Sequence, residues 1–148
     1  MLRMSPPLIV TGFTMIVVLG LGCSKPQSGS RLKTYPTFGV VEVDGQPAEG
    51  VFVTCYPDKD TSEYQRPLGT ITGGDGKFAF STYAANDGLP EGQYKLVFQW
   101  NELGIDKTAD RLGGNYTDPA KSKIELFVGN GETGNLGIIE LSTNLSKR

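Results

Sequence analysis

From residue 37 onward, apolar residues recur at every second position in short runs punctuated by glycine, proline and aspartate, as expected of strands with one buried face. Seven such runs stand out: 37–43 (TFGVVEV), 51–56 (VFVTCY), 68–72 (LGTIT), 77–81 (KFAFS), 93–100 (QYKLVFQW), 123–128 (KIELFV) and 136–141 (LGIIEL). In the fifth run Tyr94, Leu96, Phe98 and Trp100 share one face, because strand side chains alternate. Asp44-Gly45 is a hairpin signal between the first two runs, and Gly73-Gly74-Asp75-Gly76 is another between the third and fourth. Seven short strands with frequent turn signals predict an all-β chain folded as a seven-stranded antiparallel β-sandwich.

The alternation also names a core: Val41, Val43, Val51, Val53, Cys55, Ile71, Phe78, Phe80, Tyr94, Leu96, Phe98, Ile124, Leu126, Val128, Ile139 and Leu141. In the opposite phase of 51–56, Phe52 and Tyr56 would point inward instead. The stretch from Trp100 to Lys123 is too long for a plain hairpin loop. A short helix fits part of it, with Asp106 as its N-cap, Ile105, Ala109 and Leu112 on one face, and Gly113-Gly114 as its stop.

The start of the chain has a different pattern. Residues 8–22 (LIVTGFTMIVVLGLG) carry no charge and follow a short segment whose one charged side chain is Arg3. That is signal-peptide anatomy. As a helix, 15 residues span about 22 Å, short of the roughly 30 Å hydrocarbon core of a bilayer. Leu19-Gly20-Leu21-Gly22-Cys23 resembles a bacterial lipobox, with Leu19 one position earlier than usual and Gly20 in its place. The resemblance implies cleavage between Gly22 and Cys23 and a diacylglyceryl thioether on the Cys23 sulfur. A multiply acylated terminus then holds the chain at a membrane. Ser24, where an Asp would signal retention, favours the outer membrane over the inner one by the enterobacterial sorting rule.

The expected organisation is a signal helix over 1–22, a polar tether over 23–34, a domain over 35–142 and a tail over 143–148. Removing 22 residues from 148 leaves 126, enough for one domain with a core. The formal charge of −2 becomes −3 once Arg3 is lost, and the basic residues are scattered, so no nucleic-acid partner is expected. With Cys23 acylated, Cys55 is left without a disulfide partner and reads as a small buried hydrophobe.

Three landmarks in order resemble carboxypeptidase regulatory-like domains. They are Gly39 to Pro57 (GVVEVDGQPAEGVFVTCYP), Thr72 to Phe78 (TGGDGKF) and Leu89 to Tyr94 (LPEGQY). The resemblance spans about residues 37–141 and implies a transthyretin-like, Ig-like sandwich. Within that group the chain looks most like small bacterial lipoproteins made of a signal, a tether and this one domain. No activity follows from that likeness.

The chemistry is sparse. There is no histidine, which removes Ser-His-Asp and Cys-His constellations and most catalytic zinc sites. Asp58, Asp60 and Ser62 alternate like the start of a calcium loop, but Glu63 stands where glycine is needed and Gly69 where a bidentate Glu is needed. No metal, cofactor or catalytic residue is therefore expected. The leading expectation is a non-catalytic envelope lipoprotein with a binding or structural role and a protein or glycan partner. A second expectation is a carbohydrate-recognition module using Tyr64, Tyr83 and Tyr116 from the loops. A third is a hydrolase with a carboxylate pair drawn from Asp58, Glu63, Glu102, Asp106 and Asp110.

Overall fold

The computed structural model describes residues 31–101, 109–129 and 134–144. Among these residues the chain is all β and forms no helix. Ten strands run in the order β1 (Thr34–Tyr35), β2 (Thr37–Val43), β3 (Gln46–Pro47), β4 (Phe52–Pro57), β5 (Leu68–Ile71), β6 (Lys77–Ala79), β7 (Leu89–Pro90), β8 (Gly92–Gln99), β9 (Glu125–Val128) and β10 (Gly134–Leu141). Each of the seven expected runs coincides with a strand, its ends shifted by two residues at most. The strand count is nonetheless ten, because β1, β3 and β7 are two-residue ladders too short to leave a pattern in the sequence.

Two four-stranded sheets hold the larger strands. In the first, β2 lies between β10 on one side and β3 and β6 on the other; the second has the order β5-β4-β8-β9. A small ladder, β1 with β7, adds a third sheet. All pairs are antiparallel except β2 with β10, which run parallel. The expectation of a wholly antiparallel sandwich is corrected there. β10 reaches the first sheet from β9 in the second sheet, so no tight hairpin fixes its direction against β2.

The turns are real, but they join other partners than the pattern suggested. Asp44 and Gly45 both have positive φ (51° and 79°), as a two-residue hairpin turn demands, and they join β2 to β3. β4 lies in the other sheet. The Gly73–Gly76 turn likewise carries the chain from β5 in the second sheet to β6 in the first.

Inward residues of both sheets form one core, including Val41, Val43, Val51, Val53, Cys55, Phe78, Phe80, Tyr94, Leu96, Phe98, Leu126, Val128, Ile139 and Leu141. Ile71 does not belong to it. Register sets Val53 opposite Thr70 and Phe52 opposite Ile71, so Ile71 shares the outer face with Phe52 and is half exposed. The inward phase for Phe52 is thereby excluded. Thr72 is buried instead, its hydroxyl donating to the Ala48 carbonyl and accepting from the Val51 amide. Ile124 is only partly buried at the edge of the core, while Ala48, Leu89 and Leu112 join it unforeseen. Beneath the sandwich corner, the Tyr94 hydroxyl donates to the Pro90 carbonyl at 2.8 Å, pinning β8 to β7.

Of the expected helix, residues 102–108 lie outside the described residues, and from Ala109 onward the chain turns instead. Asp110 makes an isolated bridge with Asn101, and its carboxylate accepts from the amides of Trp100, Leu112 and Gly114. An Asp that satisfies three nearby amides closes a tight turn in preference to starting a helix. This is how Leu112 becomes fully buried.

Candidate functional site

The outer face of the first sheet carries an open groove of about 670 Å³. Strand register builds it. Phe38 of β2 is level with Ala79 of β6 and Asn135 of β10, and Val40 is level with Lys77 and Ile138, so all six residues face away from the core. Ile71, at the end of β5, closes one side, and Asn86 stands at a corner. Phe38, Ile71 and Ile138 remain 40, 51 and 60 % exposed. A bulge shapes the floor: three steps from Asn135 to Ile138 oppose two from Phe38 to Val40. Gly137 takes φ 62° there, and its amide donates to the Asn135 side chain at 3.0 Å.

Charge is confined to the margin. Lys77 is held by Asp75 at 2.7 Å, which keeps the Asp75 carboxyl below its usual range and the Lys77 ammonium above its own. Beyond the apolar centre, Glu42 and Glu140 stand level on the same outer face.

The chain enters at one end of this face. The Arg31 guanidinium stacks 5.6 Å over Tyr83, the Tyr83 hydroxyl accepts from the Leu32 amide at 3.1 Å, and Lys33 sits 4.9 Å over Tyr35. Thr34, placed in the tether by the sequence pattern, already belongs to β1. The loop bearing Tyr83 is held by Asp87. Burial alone would raise its carboxyl, but amides of Thr82, Tyr83 and Ala84 donating to it pull it below the usual range. Gly22 and Cys23, with the whole of the expected signal helix and most of the tether, lie outside the described residues.

The three candidate tyrosines do not form one surface. Tyr64 and Tyr83 meet edge to face with ring centres 6.5 Å apart, at the end where the chain enters. Tyr116 packs partly against the core, and its hydroxyl accepts from the Ser142 amide. Ser142 and Thr143 in turn donate to Asp44 at the far end of β2, about 20 Å along that strand from Thr37. Those hydroxyls, Thr143 first, hold the Asp44 carboxyl below its ordinary value.

Of the carboxylates weighed for catalysis, Glu63 is exposed on its loop, while Asp58 and Asp110 are occupied by local structure. Asp58 accepts from the Asp60 amide and the Thr61 hydroxyl, Ser62 is buried with its hydroxyl on the Gln93 carbonyl, and Asp110 serves the turn described above. Glu102 and Asp106 lie outside the described residues. Among the described residues no group of three His, Cys, Asp or Glu side chains is placed to hold a metal ion, and no helix is long and apolar enough to cross a membrane. Cys55 is fully buried, its thiol donating to the Leu68 carbonyl at 3.3 Å, and burial pushes it up to about 12.

The groove was absent from the sequence reading, although a signal existed. Runs 37–43 and 136–141 carry apolar residues in both phases, Phe38 and Val40 beside Val41 and Val43, and Ile138 beside Ile139. A strand apolar on both faces expects cover on both. Only the pairing of β2 with β10 reveals that the surplus residues adjoin. In comparisons with known proteins, no family model matches the chain and no curated protein matches it.

Proposed function

We propose that the chain is a non-catalytic lipoprotein of the bacterial cell envelope, anchored through Cys23 and acting by means of its β domain as a binding or structural module. The outer membrane is favoured over the inner by Ser24. The observation that carries the binding role is the apolar groove, since exposed apolar surface gathered on one face marks an interaction site. We assign the domain to the transthyretin-like sandwiches of the carboxypeptidase regulatory-like type. The three sequence landmarks support this, falling at the Asp44-Gly45 turn, the Gly73–Gly76 crossing and the β7–β8 corner. The anchor is supported by the uncharged segment ending at Cys23.

Carbohydrate recognition is the second reading, favoured by the Tyr64–Tyr83 pair alone. Edge-to-face rings offer a sugar no shared flat platform, so this reading ranks below the first. Glycan-array binding lost in Tyr64→Ala would reverse that order. For the anchor, intact-mass spectra of envelope-extracted protein should show cleavage after Gly22 and an acyl adduct on Cys23, both lost in Cys23→Ala. Full-length protein without an adduct would overturn it.

A further inference from the structure

We propose that the groove on the outer face of the first sheet cradles an acyl chain of the lipid on Cys23, an inference that rests on the anchor proposed above. The first argument is where the chain enters. Arg31 stacks on Tyr83, and Asn86, three residues beyond Tyr83 in the same loop, lines the groove. Residues 24–30 separate Cys23 from Arg31. Eight steps of extended chain span at most about 28 Å, so the Cys23 sulfur can stand at the corner marked by Asn86.

Shape and chemistry then select the occupant. The trough crosses the first sheet from Ile138 on β10 over Val40 on β2 to Ala79 on β6, about 10 Å at ordinary strand spacing, and continues to Ile71 on β5 of the second sheet. It is an open groove of about 670 Å³, which can hold a chain along one side and leaves the other side in solvent. The lining is mostly apolar, and its one cation among the described residues, Lys77, is paired with Asp75. Glu42 and Glu140, level with each other just beyond, repel anionic headgroups. A neutral hydrocarbon chain meets both conditions.

A second copy of the protein fits less well. The face presented by β10, β2 and β6 measures at most roughly 14 by 23 Å, or about 320 Å², against the roughly 800 Å² per partner of a stable interface. The cradle would shield one side of one chain of the anchor from water whenever the protein is not seated in a bilayer.

The test uses the full chain made in bacteria fed a palmitate analogue bearing a photoactivatable diazirine, purified and irradiated below the micelle concentration of its detergent. The expected result is label on Cys23 and intramolecular cross-links to peptides from 37–43 or 134–141. Those cross-links should fall on the order of tenfold in the Phe38→Thr/Ile138→Thr double variant, which removes two apolar walls. An unchanged thermal midpoint confirms that the variant is folded; Ile138→Thr alone, at the most exposed wall, replaces it otherwise. Label on Cys23 with cross-links scattered over the surface, insensitive to the substitutions or joining two copies would overturn the cradle and leave the anchor standing. No label on Cys23 would overturn both.

Discussion

On the inner face of the first sheet Val41, Val43, Phe78, Ile139 and Leu141 are each at most 7 % exposed, whereas on its outer face Phe38 and Ile138 keep 40 and 60 % of their surface in water. The strands are the same and so are the residue types. What differs is the area withdrawn from solvent, and hydrophobic stabilisation follows that area at about 25 cal/mol per Å². Stability should therefore reside in one face and binding in the other, and substitutions can separate the two.

The largest effect is expected from Phe78→Ala. Phe78 is 5 % exposed, meets Phe80 edge to face at 5.6 Å and lies against Gly39. Truncating such a ring removes transfer energy and leaves a cavity, costing about 3–5 kcal/mol, a large part of the 5–15 kcal/mol typical of a domain. Urea unfolding monitored at Trp100 would show it. A loss below about 1 kcal/mol would mean that the inner face is not where the stability lies.

Alkali probes the same face through its polar members. Burial raises the Cys55 thiol from 9.0 to about 12 and the Tyr94 phenol above its ordinary 10. Between those values the unfolded chain has lost protons that the folded chain keeps, so stability falls as pH rises. It is fully present below pH 9; Cys55 contributes a slope approaching 1.4 kcal/mol per pH unit between about 9 and 12, and Tyr94 a similar one from about 10 upward. Cys55→Ala should remove the onset near pH 9 and leave the Tyr94 contribution from about 10 upward. A pH-independent free energy across this window would contradict the sealed interior.

Where the chain enters, the effect should be smaller and local. Gly88 has φ 85°, and a Cβ there would lie 1.7 Å from the Tyr35 carbonyl oxygen. Gly88→Ala should push β1 off β7 at a cost somewhat above 1 kcal/mol. Hydrogen exchange should accelerate in 34–35 and 89–90 with β2 unchanged. Uniform acceleration would show that β1 is part of the main cooperative unit.

Alternation made the seven larger strands and most of the core legible, because burial on one face writes period two into the sequence. It could not assign strands to sheets. Asp44-Gly45 announced a turn, yet whether the next strand pairs locally or crosses to the other layer depends on contacts far along the chain. Ile71 was misplaced because Thr72 can be buried only by satisfying its hydroxyl with the Ala48 carbonyl and Val51 amide. Tyr116 looked free because the residue that occupies its hydroxyl, Ser142, is 26 positions away. The groove escaped for the same reason: its walls come from four strands in two sheets.

The smallest effect is the one that most sharpens the contrast between the faces. Ile138→Thr keeps a β-branched side chain in β10 and alters a residue that is 60 % exposed. Little area returns to water, so the free energy of unfolding should change by no more than about 0.5 kcal/mol. The neighbouring Ile139→Thr places a hydroxyl at a site only 7 % exposed. Unless it finds a partner, that hydroxyl costs about 1–3 kcal/mol on top of the lost packing. The two positions differ by one step along one strand, so propensity and chain location cancel, and the difference in urea midpoint reports the face alone. Measured in a Cys23→Ala background, which carries no acyl chain to fill the groove, equal losses at 138 and 139 would mean that the protein itself covers the outer face, and the groove would then have to be counted as part of the core.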